Sequence, residues 1–363
     1  PVNLPNPPWK SASEMVRRRS SRNAGRTDMT SHPHIGVAVV GYGLAGQTFH
    51  APLIQATPGL SLAAVVSSRP DAVHADLPDI EVLPDLNAAL ARDDIRLIVV
   101  ATPDALHAEQ SIAALKAGKS VVVDKPFAVT LADAEAVAAV AAASPGVFSV
   151  FQNRRWDADF LTLRRLIAEG ELGEIAVFES HYDRFRPTVT DRWKDQRDGG
   201  VWADLGPHLI DQAVQLFGAP LGVYADLQPQ RVGATAIDYA HVLLRYDRLR
   251  VILNMSHLAA EASLRYVVHG TGGSFVKHGL DAQEGQSKTG LRPGDPDWGR
   301  DPSPGALTKQ IDGEIVVTTP TPERGDYPAF YAAMRDAILG KGPPPVTADQ
   351  ALTVMRIIDA GGE

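Results

Sequence analysis

The sequence predicts an α/β protein of two domains, in which an N-terminal doubly wound parallel sheet is followed by a C-terminal α+β domain with a largely antiparallel, open sheet. The chain of 363 residues is longer than one ordinary hydrophobic core. Short β-branched runs alternate with alanine- and leucine-rich runs up to residue 152, whereas later strand-like runs follow one another without helices between them. We therefore place the two domains at 33–152 and 153–325, preceded by a leader at 1–32 and followed at 326–363 by helices that pack back on the body.

The N-terminal domain is predicted to consist of strand–helix units. Strands are expected at 35–40, 60–67, 95–101, 120–124 and 147–151, and helices near 45–56, 86–91, 105–117 and 131–143. Because these strands are apolar throughout, they indicate a parallel sheet covered by helices on both faces. Gly118 follows Lys116 and Ala117 directly and predicts the stop of the helix at 105–117.

The C-terminal domain is predicted to contain mostly strands. A helix at 157–168, a strand at 175–183 and a helix ending near 217 come first, and strands follow at 223–227, 239–246, 251–255, 265–269 and 314–318. The segment 285–305, dense in Gly, Pro and Asp, is expected to be a long surface loop. Helices at 327–339 and 348–360 close the fold.

Composition excludes several classes of protein. Hydrophobic residues make up 44% and charged residues 21%, which is typical of soluble globular proteins, and no run approaches the roughly 18 apolar residues needed to span a bilayer. Cysteine is absent, so disulfides, thiolate metal sites and cysteine nucleophiles are excluded. No spacing typical of metal ligands occurs. We expect a cytoplasmic protein with neither a metal centre nor a membrane partner.

Charge is distributed unevenly along the chain. The formal net charge is -8, yet residues 1–31 carry six lysines and arginines against two acidic residues. The acidic remainder argues against nucleic acid as a partner. The leader at 1–32 is expected to be disordered, with Met29 as the usual start, although its "RRRSSR" stretch could instead be a targeting or nucleic-acid arm.

The stretch "IGVAVVGYGLAGQTFH" at 35–50 contains a GxGxxG pattern between a predicted strand and a predicted helix. In this context Gly41 permits the tight turn, Gly43 lets a pyrophosphate approach the backbone, and Gly46 allows close packing of helix on strand. Free backbone N–H groups at the helix start favour anionic phosphates. The predicted cofactor-binding loop consists of Gly41, Tyr42, Gly43, Leu44, Ala45 and Gly46, and the alternative is a glycine turn with a purely structural role.

The end of the second predicted strand reads Ser67-Ser68-Arg69, where a dinucleotide site places the residue that contacts the ribose. Two hydroxyls and a guanidinium suit a 2′-phosphate, whereas an NAD site normally has a carboxylate there. The pattern favours NADP over NAD. The alternative is a solvated loop with Asp71 nearby.

Four longer segments resemble the Gfo/Idh/MocA oxidoreductases. They read "GYGLAGQTFHAPLI", "ATPDALHAEQSIAALKAGKSVVVDKPFAVTLADA", "FQNRRWDADFLTLRRLIAEGELG" and "GGVWADLGPHLIDQAVQLFG". "NRRWDADFLTL" followed by "HYDRFRP" is most similar to the scyllo-inositol 2-dehydrogenases of that family. The resemblance covers about 35–360. It implies a Rossmann domain, an α/β domain whose open sheet forms a homodimer or homotetramer, and NAD(P)-linked oxidation of a cyclic polyol or sugar, or the reverse reduction.

Two features depart from the family pattern. Asp124-Lys125-Pro126 replaces the usual Glu-Lys-Pro, which keeps both the carboxylate and the lysine. The sequence stops at residue 363, where relatives generally continue, and we expect any effect to fall on docking of the C-terminus and not on the site.

The resemblance assigns catalysis to Lys125, Asp204 and His208. Lys125 follows a parallel strand, where it could bond the reacting oxygen. Asp204 and His208 are four residues apart, so a helix would place them on one face, with the carboxylate fixing the imidazole of a general base. Two alternatives remain: Lys125 as a solvated strand end, and Asp204 as the N-cap of a helix whose start Pro207 restricts.

Further site residues follow from the resemblance and from position. Thr102, Pro103 and His107 resemble the loop that lines the cofactor, although His107 alone would suit a helix start. The predicted substrate contacts are Asn153, Arg154 and Trp156 at the domain junction, Tyr182 and Arg184 along a strand, and Tyr239. Arg155 is expected to be a surface charge. Two other functions remain open: a reductase of another sugar or cyclic ketone, and a non-catalytic dinucleotide-binding regulator.

Overall fold

The computed structural model describes residues 34–190, 199–261 and 263–362. The predicted leader at 1–32 lies outside the described residues. The first domain is a parallel sheet of six strands in the order β3-β2-β1-β4-β5-β6. Its strands are β1 (Ile35–Val40), β2 (Leu60–Val66), β3 (Glu81–Leu83), β4 (Ile95–Val100), β5 (Ser120–Val123) and β6 (Phe148–Val150). Strands β1 to β3 are added toward one edge of the sheet and strands β4 to β6 toward the other. The strand order therefore reverses between the parallel neighbours β1 and β4, and a crevice opens at their carboxyl ends.

Helices cover both faces of this sheet. They are a π-helical turn at Gly46–His50 that continues into α1 (Ala51–Gln55), then α2 (Pro70–Asp76), α3 (Leu86–Leu90), a 3₁₀ turn at Asp104–Leu106 before α4 (His107–Lys116), and α5 (Leu131–Ala143). Thr130 is the N-cap of helix α5, and its side chain accepts a hydrogen bond from the backbone N–H of Asp133. Gly118 ends α4 with φ +74°, which confirms the predicted stop.

The second domain is a sheet of eight strands in the order β14-β13-β12-β11-β7-β10-β9-β8, and only the β7–β10 pair is parallel. These strands are β7 (Ile175–His181), β8 (Gly222–Gln228), β9 (Tyr239–Arg245), β10 (Arg250–Ser256), β11 (Leu264–Gly270), β12 (Ser274–His278), β13 (Ala306–Ile311) and β14 (Glu314–Thr318). The predicted fold class is therefore confirmed in both domains.

Among the described residues, five helices follow strand β6 in the chain. They are α6 (Ala158–Ala168), which follows a 3₁₀ turn at Asn153–Trp156, α7 (Gly200–Phe217), α8 (Gln283–Lys288), α9 (Pro328–Ile338) and α10 (Ala348–Gly362). Helix α7 packs on β9 and β10. Phe330 and Tyr331 of α9 enter the core of the first domain, whereas Val354 and Ile357 of α10 enter that of the second. The C-terminal helices therefore join the two domains. None of the described helices is long and apolar enough to cross a bilayer.

Several local predictions differ from the structure. Helix α2 and strands β3, β12 and β13 were not predicted. Strand β3 has only three residues, and β12 includes Lys277, a charged residue whose side chain is buried. The predicted surface loop at 285–305 overlaps α8, and its Trp298 is buried against the core of the first domain. Helix α7 begins at Gly200 and continues through Pro207, so Asp204 lies inside the helix and the N-cap alternative is wrong.

Candidate active site

A cavity of about 1070 Å³ lies between the two domains at the carboxyl ends of the parallel strands. Its first half is lined by the loops after β1, β2, β4 and β5, and its second half by residues from the C-terminal domain. Those second-half residues are Asn153, Arg154, Tyr182, Arg184, Asp204, Leu205, His208 and Glu284. This is the position at which open parallel sheets bind ligands.

The glycine loop after β1 leaves room for a ligand backbone. A Cβ atom on Gly41 would lie 2.6 Å from the Ala101 carbonyl oxygen, and Gly41 has φ +98°, so this turn requires glycine. A Cβ atom on Gly46 would lie 2.3 Å from the Gly41 oxygen, whereas Gly43 has nothing within 4 Å. The open space at Gly43 faces the cavity that Tyr42, Leu44 and Ala45 also line. The loop therefore fits the pyrophosphate of a nicotinamide dinucleotide.

Ser67, Ser68 and Arg69 line the same half of the cavity beyond β2. The Arg69 guanidinium donates to the Tyr42 carbonyl oxygen at 3.1 Å, which holds this cation against the glycine loop. Asp71, the alternative ribose contact, lies in the first turn of α2 and is not among the lining residues. Ser67, Ser68 and Arg69 offer donors that suit a 2′-phosphate, and the Asp85 carboxylate, which also lines the cavity, accepts a hydrogen bond from the backbone N–H of Ala88.

Thr102, Pro103 and His107 all line the cavity after β4. The buried His107 ring lies between two carbonyl oxygens, with Nε2 2.9 Å from Thr102 O and Nδ1 2.8 Å from Pro126 O. It therefore ties the loop after β4 to the loop that carries Lys125. His107 thus supports these two loops and also lines the half of the cavity predicted to bind the cofactor.

Lys125 meets Asp204 from across the cavity. Its ammonium donates to Asp204 Oδ1 at 3.0 Å and to the Asp204 backbone oxygen at 3.0 Å. His208 lies one turn further along α7 and is buried, and its Nδ1 has no hydrogen-bond partner in the part of the chain described. The structure therefore brings together Lys125, Asp204 and His208. The sequence predicted that the Asp204 carboxylate would hold the His208 imidazole, whereas in the structure it accepts a hydrogen bond from Lys125.

The electrostatics of His208 favour a neutral ring. Burial lowers its pKa well below the ordinary value, and the positive charges of Lys125 and Arg154 lower it further against the opposing effect of Asp204. A neutral imidazole in contact with the cavity can accept a proton. The arrangement supplies a base, His208, and an ammonium donor, Lys125, at one end of the cavity.

The residues next to Lys125 include a series of polar groups that the sequence analysis did not predict. Asp124 accepts a bond from the Lys125 backbone N–H at 2.7 Å, and its Oδ2 is 3.8 Å from Nε2 of the buried His50. His50 Nδ1 is in turn 2.7 Å from the Tyr331 hydroxyl on α9. Burial raises the pKa of Asp124, but its interactions with His50 and the charge of Lys125 outweigh this and lower it overall. No sequence pattern links these residues, because Tyr331 is distant in the chain.

Two arginines and one tyrosine line the second half of the cavity. Arg154 donates to the Tyr182 hydroxyl at 2.8 Å and to Glu284 Oε2 at 2.6 Å. The guanidinium groups of Arg154 and Arg184 lie 5.0 and 5.1 Å from the centre of the Tyr182 ring, which is within cation–π range. Together with Asn153 they form a polar wall next to His208.

Three sequence expectations in this region are corrected. Trp156 does not line the cavity and packs edge-on against Phe330. Tyr239 begins β9 and lies on the sheet, away from the cavity, because its neighbour Ala240 takes the helix-facing position. Arg155 is buried in an ion pair with Asp211, not exposed as a surface charge. Each correction depends on which face a side chain takes after long-range packing.

The fold and the cavity define a two-domain dinucleotide-binding oxidoreductase, and family models agree. The NAD-binding Rossmann-fold model of the oxidoreductase family matches residues 35–152, and the C-terminal alpha/beta domain model matches residues 164–363. The chain belongs to the Gfo/Idh/MocA oxidoreductase family.

Relatives extend the similarity over most of the chain. It is 51% identical to an uncharacterized oxidoreductase, YdgJ of Escherichia coli (strain K12), over 91% of this chain and 96% of the relative. It is 37% identical to the scyllo-inositol 2-dehydrogenase (NADP(+)) IolW of Bacillus subtilis (strain 168), over 91% and 93%. The solved structure of YPO2259 from Yersinia pestis superposes with a TM-score of 0.87 at 48% identity, covering 90% and 94%.

Proposed function

We propose that the chain is a dehydrogenase that oxidises one carbinol of a cyclic polyol with NADP, with scyllo-inositol and its 2-keto product as the candidate pair, and that it also runs in reverse. The observation that carries the proposal is the convergence of Lys125, Asp204 and His208 opposite the glycine loop. The relative that is named as a scyllo-inositol 2-dehydrogenase supports the substrate class.

The chain's residues would handle the proton of the reacting hydroxyl. When bound, the nicotinamide supplies the hydride acceptor or donor. The neutral His208 accepts the hydroxyl proton, while the Lys125 ammonium donates a bond to the same oxygen and stabilises its growing negative charge. Asp204 holds Lys125 in position through its carboxylate and its backbone oxygen. In the reverse direction the protonated His208 returns the proton to the carbonyl oxygen.

NADP is the proposed cofactor. Ser67, Ser68 and Arg69 present donors to the cavity, and Arg69 is held in place by Tyr42. The printed name of the IolW relative includes NADP(+), which supports the same preference.

An activity screen tests the proposal. Inositol isomers and aldoses are each offered to the purified chain with NADP⁺ and with NAD⁺, and reduced nicotinamide is followed by absorbance. We expect turnover of a cyclic polyol with NADP⁺. Activity confined to other sugars or cyclic ketones would favour another reductase of the family. Binding of nicotinamide without turnover of any substrate would favour a regulator.

We also propose that two copies associate through the open face of the eight-stranded sheet. Tyr224, Leu243 and Ile252 are cross-strand neighbours on β8, β9 and β10, and they lie on the face opposite the helices. Tyr224 is 44% exposed. A contiguous apolar row on a sheet face is typical of a protein–protein contact, and a second copy would cover it symmetrically.

A further inference from the structure

Glu284 is a carboxylate in the substrate half of the cavity that the sequence did not single out. It lies on α8, whose start is fixed by its neighbour Gln283. The Gln283 amide donates to the Trp156 carbonyl oxygen at 3.0 Å and accepts from the Tyr327 backbone N–H at 2.8 Å. Helix α8 also contacts the π-helical turn of the first domain. The position of Glu284 is therefore set by both domains.

Glu284 forms an ion pair with Arg154, one of the two arginines of the polar wall, and Arg154 Nη1 also lies 3.4 Å from Asp157 Oδ2. The Glu284 Oε2 accepts from Arg154 at 2.6 Å, and its Oε1 accepts from Lys288 at 2.6 Å. Burial raises the pKa of Glu284, but the charges of Arg154 and Lys288 outweigh this and lower it to about 2. The group is ionised at every working pH. Since a carboxylate offers about four acceptor positions, two bonds leave capacity for hydroxyl donors.

The Arg154–Glu284 pair lies beside the reacting residues. Arg154 bonds the Tyr182 hydroxyl and lines the same cavity as the proposed base His208, whose pKa its charge lowers. The Arg154 Nε is buried and has no hydrogen-bond partner among the described residues. A guanidinium and an ionised carboxylate thus lie side by side in the substrate half of the cavity, where each can bond a hydroxyl of the same ring.

We propose, on the basis of the function proposed above, that Glu284 determines the charge selectivity of the substrate site. With Arg154 it binds adjacent hydroxyls of a neutral cyclic polyol, and it rejects analogues that carry a carboxylate or a phosphate. An anion that bonded Arg154 would have to displace Glu284 or lie against its negative charge in a partly buried site, where like charges repel strongly.

The test compares matched ligands on the full-length protein. Dissociation constants of glucose and glucuronate, and of myo-inositol and its monophosphate, are measured by calorimetry with and without saturating NADPH. We expect the unmodified protein to bind each neutral member more tightly than its acidic partner. Glu284→Gln should shrink that preference by about 10- to 100-fold, as expected for a charge-assisted contact.

Two variants serve as controls. Glu284→Asp retains the charge and should retain the rejection of acids, even if neutral ligands bind more weakly. Lys288→Gln removes only the outer partner and should leave the preference intact or increase it. Melting temperatures verify that all three variants fold.

Several outcomes would overturn the inference. An unchanged preference in Glu284→Gln would reduce Glu284 to a support for Arg154, and absence of any preference in the unmodified protein would remove its basis. A rise in the KM for NADP larger than the change in preference would place Glu284 with the cofactor. A preference for neutral ligands that depends on Glu284, without turnover of any polyol, would uphold this inference and reject the proposed reaction. Turnover of polyols together with an unchanged preference in Glu284→Gln would uphold the proposed reaction and reject this inference.

Discussion

The Lys125 ammonium lies 3.0 Å from Asp204 Oδ1 and 3.0 Å from the Asp204 backbone oxygen, so one ion pair connects the loop after β5 of the first domain to α7 of the second. The side chains are 20% and 11% exposed, so water screens the pair only partly. The proposed reacting groups are therefore held in register by a contact that exists only when the two domains are packed together.

Removal of the reacting groups should affect turnover far more than cofactor binding. Lys125→Met and His208→Ala are each expected to lower kcat by roughly 10²- to 10⁴-fold, the range of positioned acid–base groups. Asp204→Asn should also lower kcat, because the amide holds the ammonium less firmly. NADPH binding, followed by fluorescence, should change little, since the glycine loop and Arg69 hold that end. Near-normal turnover of His208→Ala would reject the mechanism.

The pH profile of oxidation should reflect the lowered pKa of His208. Only the neutral ring accepts a proton, so kcat/KM should stay constant as the pH falls to about 6.5 and decrease only below the ordinary histidine value. Removal of the Lys125 charge in Lys125→Met should raise the pKa of His208, so the acidic decrease in kcat/KM should begin at a higher pH. If kcat/KM of Lys125→Met decreases at the same pH as that of the unmodified protein, the Lys125 charge does not act on His208.

Arg69 should govern the choice between cofactors. Arg69→Ala removes the guanidinium that faces the cavity, so we expect the KM for NADP to rise by about 10- to 100-fold and the KM for NAD to change little. Asp71→Asn is the matched control, because Asp71 does not line the cavity. Better use of NAD than NADP by the unmodified protein would contradict the assignment of Ser67, Ser68 and Arg69.

The buried Arg155–Asp211 ion pair should be essential for stability. Arg155→Met leaves the Asp211 carboxylate buried without its 2.6 Å partner, which is expected to lower the free energy of unfolding by about 3–5 kcal/mol. Urea unfolding measures the change. The double variant Arg155→Met/Asp211→Leu should recover part of the loss, because it removes the stranded charge. A surface role for Arg155 would instead give a negligible effect.

The open sheet face should control the oligomeric state. Leu243→Glu places a charge in the centre of the apolar row and should shift the protein to monomers in light scattering coupled to size exclusion. Arg248→Glu, on an exposed turn, is the control and should leave the mass unchanged. A monomeric unmodified protein would exclude the proposed association.

The sequence by itself determined the features that depend on neighbours along the chain. Alternation of apolar strands with helices predicted the doubly wound sheet, because period and composition act over short distances. Gly41 was recognisable because its tight turn tolerates no side chain, and Lys125 because a strand end at the crevice is a local property. The family motifs added His208 by its place in a continuous segment.

Only the tertiary structure decided which side chains face the cavity. Glu284 reaches Arg154 from 130 residues away, and Tyr331 reaches His50 from 281 residues away, so no local period could join them. Trp156 and Tyr239 carried suitable chemistry but took other faces, since packing on Phe330 and on the sheet fixes their orientation. Burial and charge pairing depend on every element packed against a residue, and these neighbours become known only when the chain is folded.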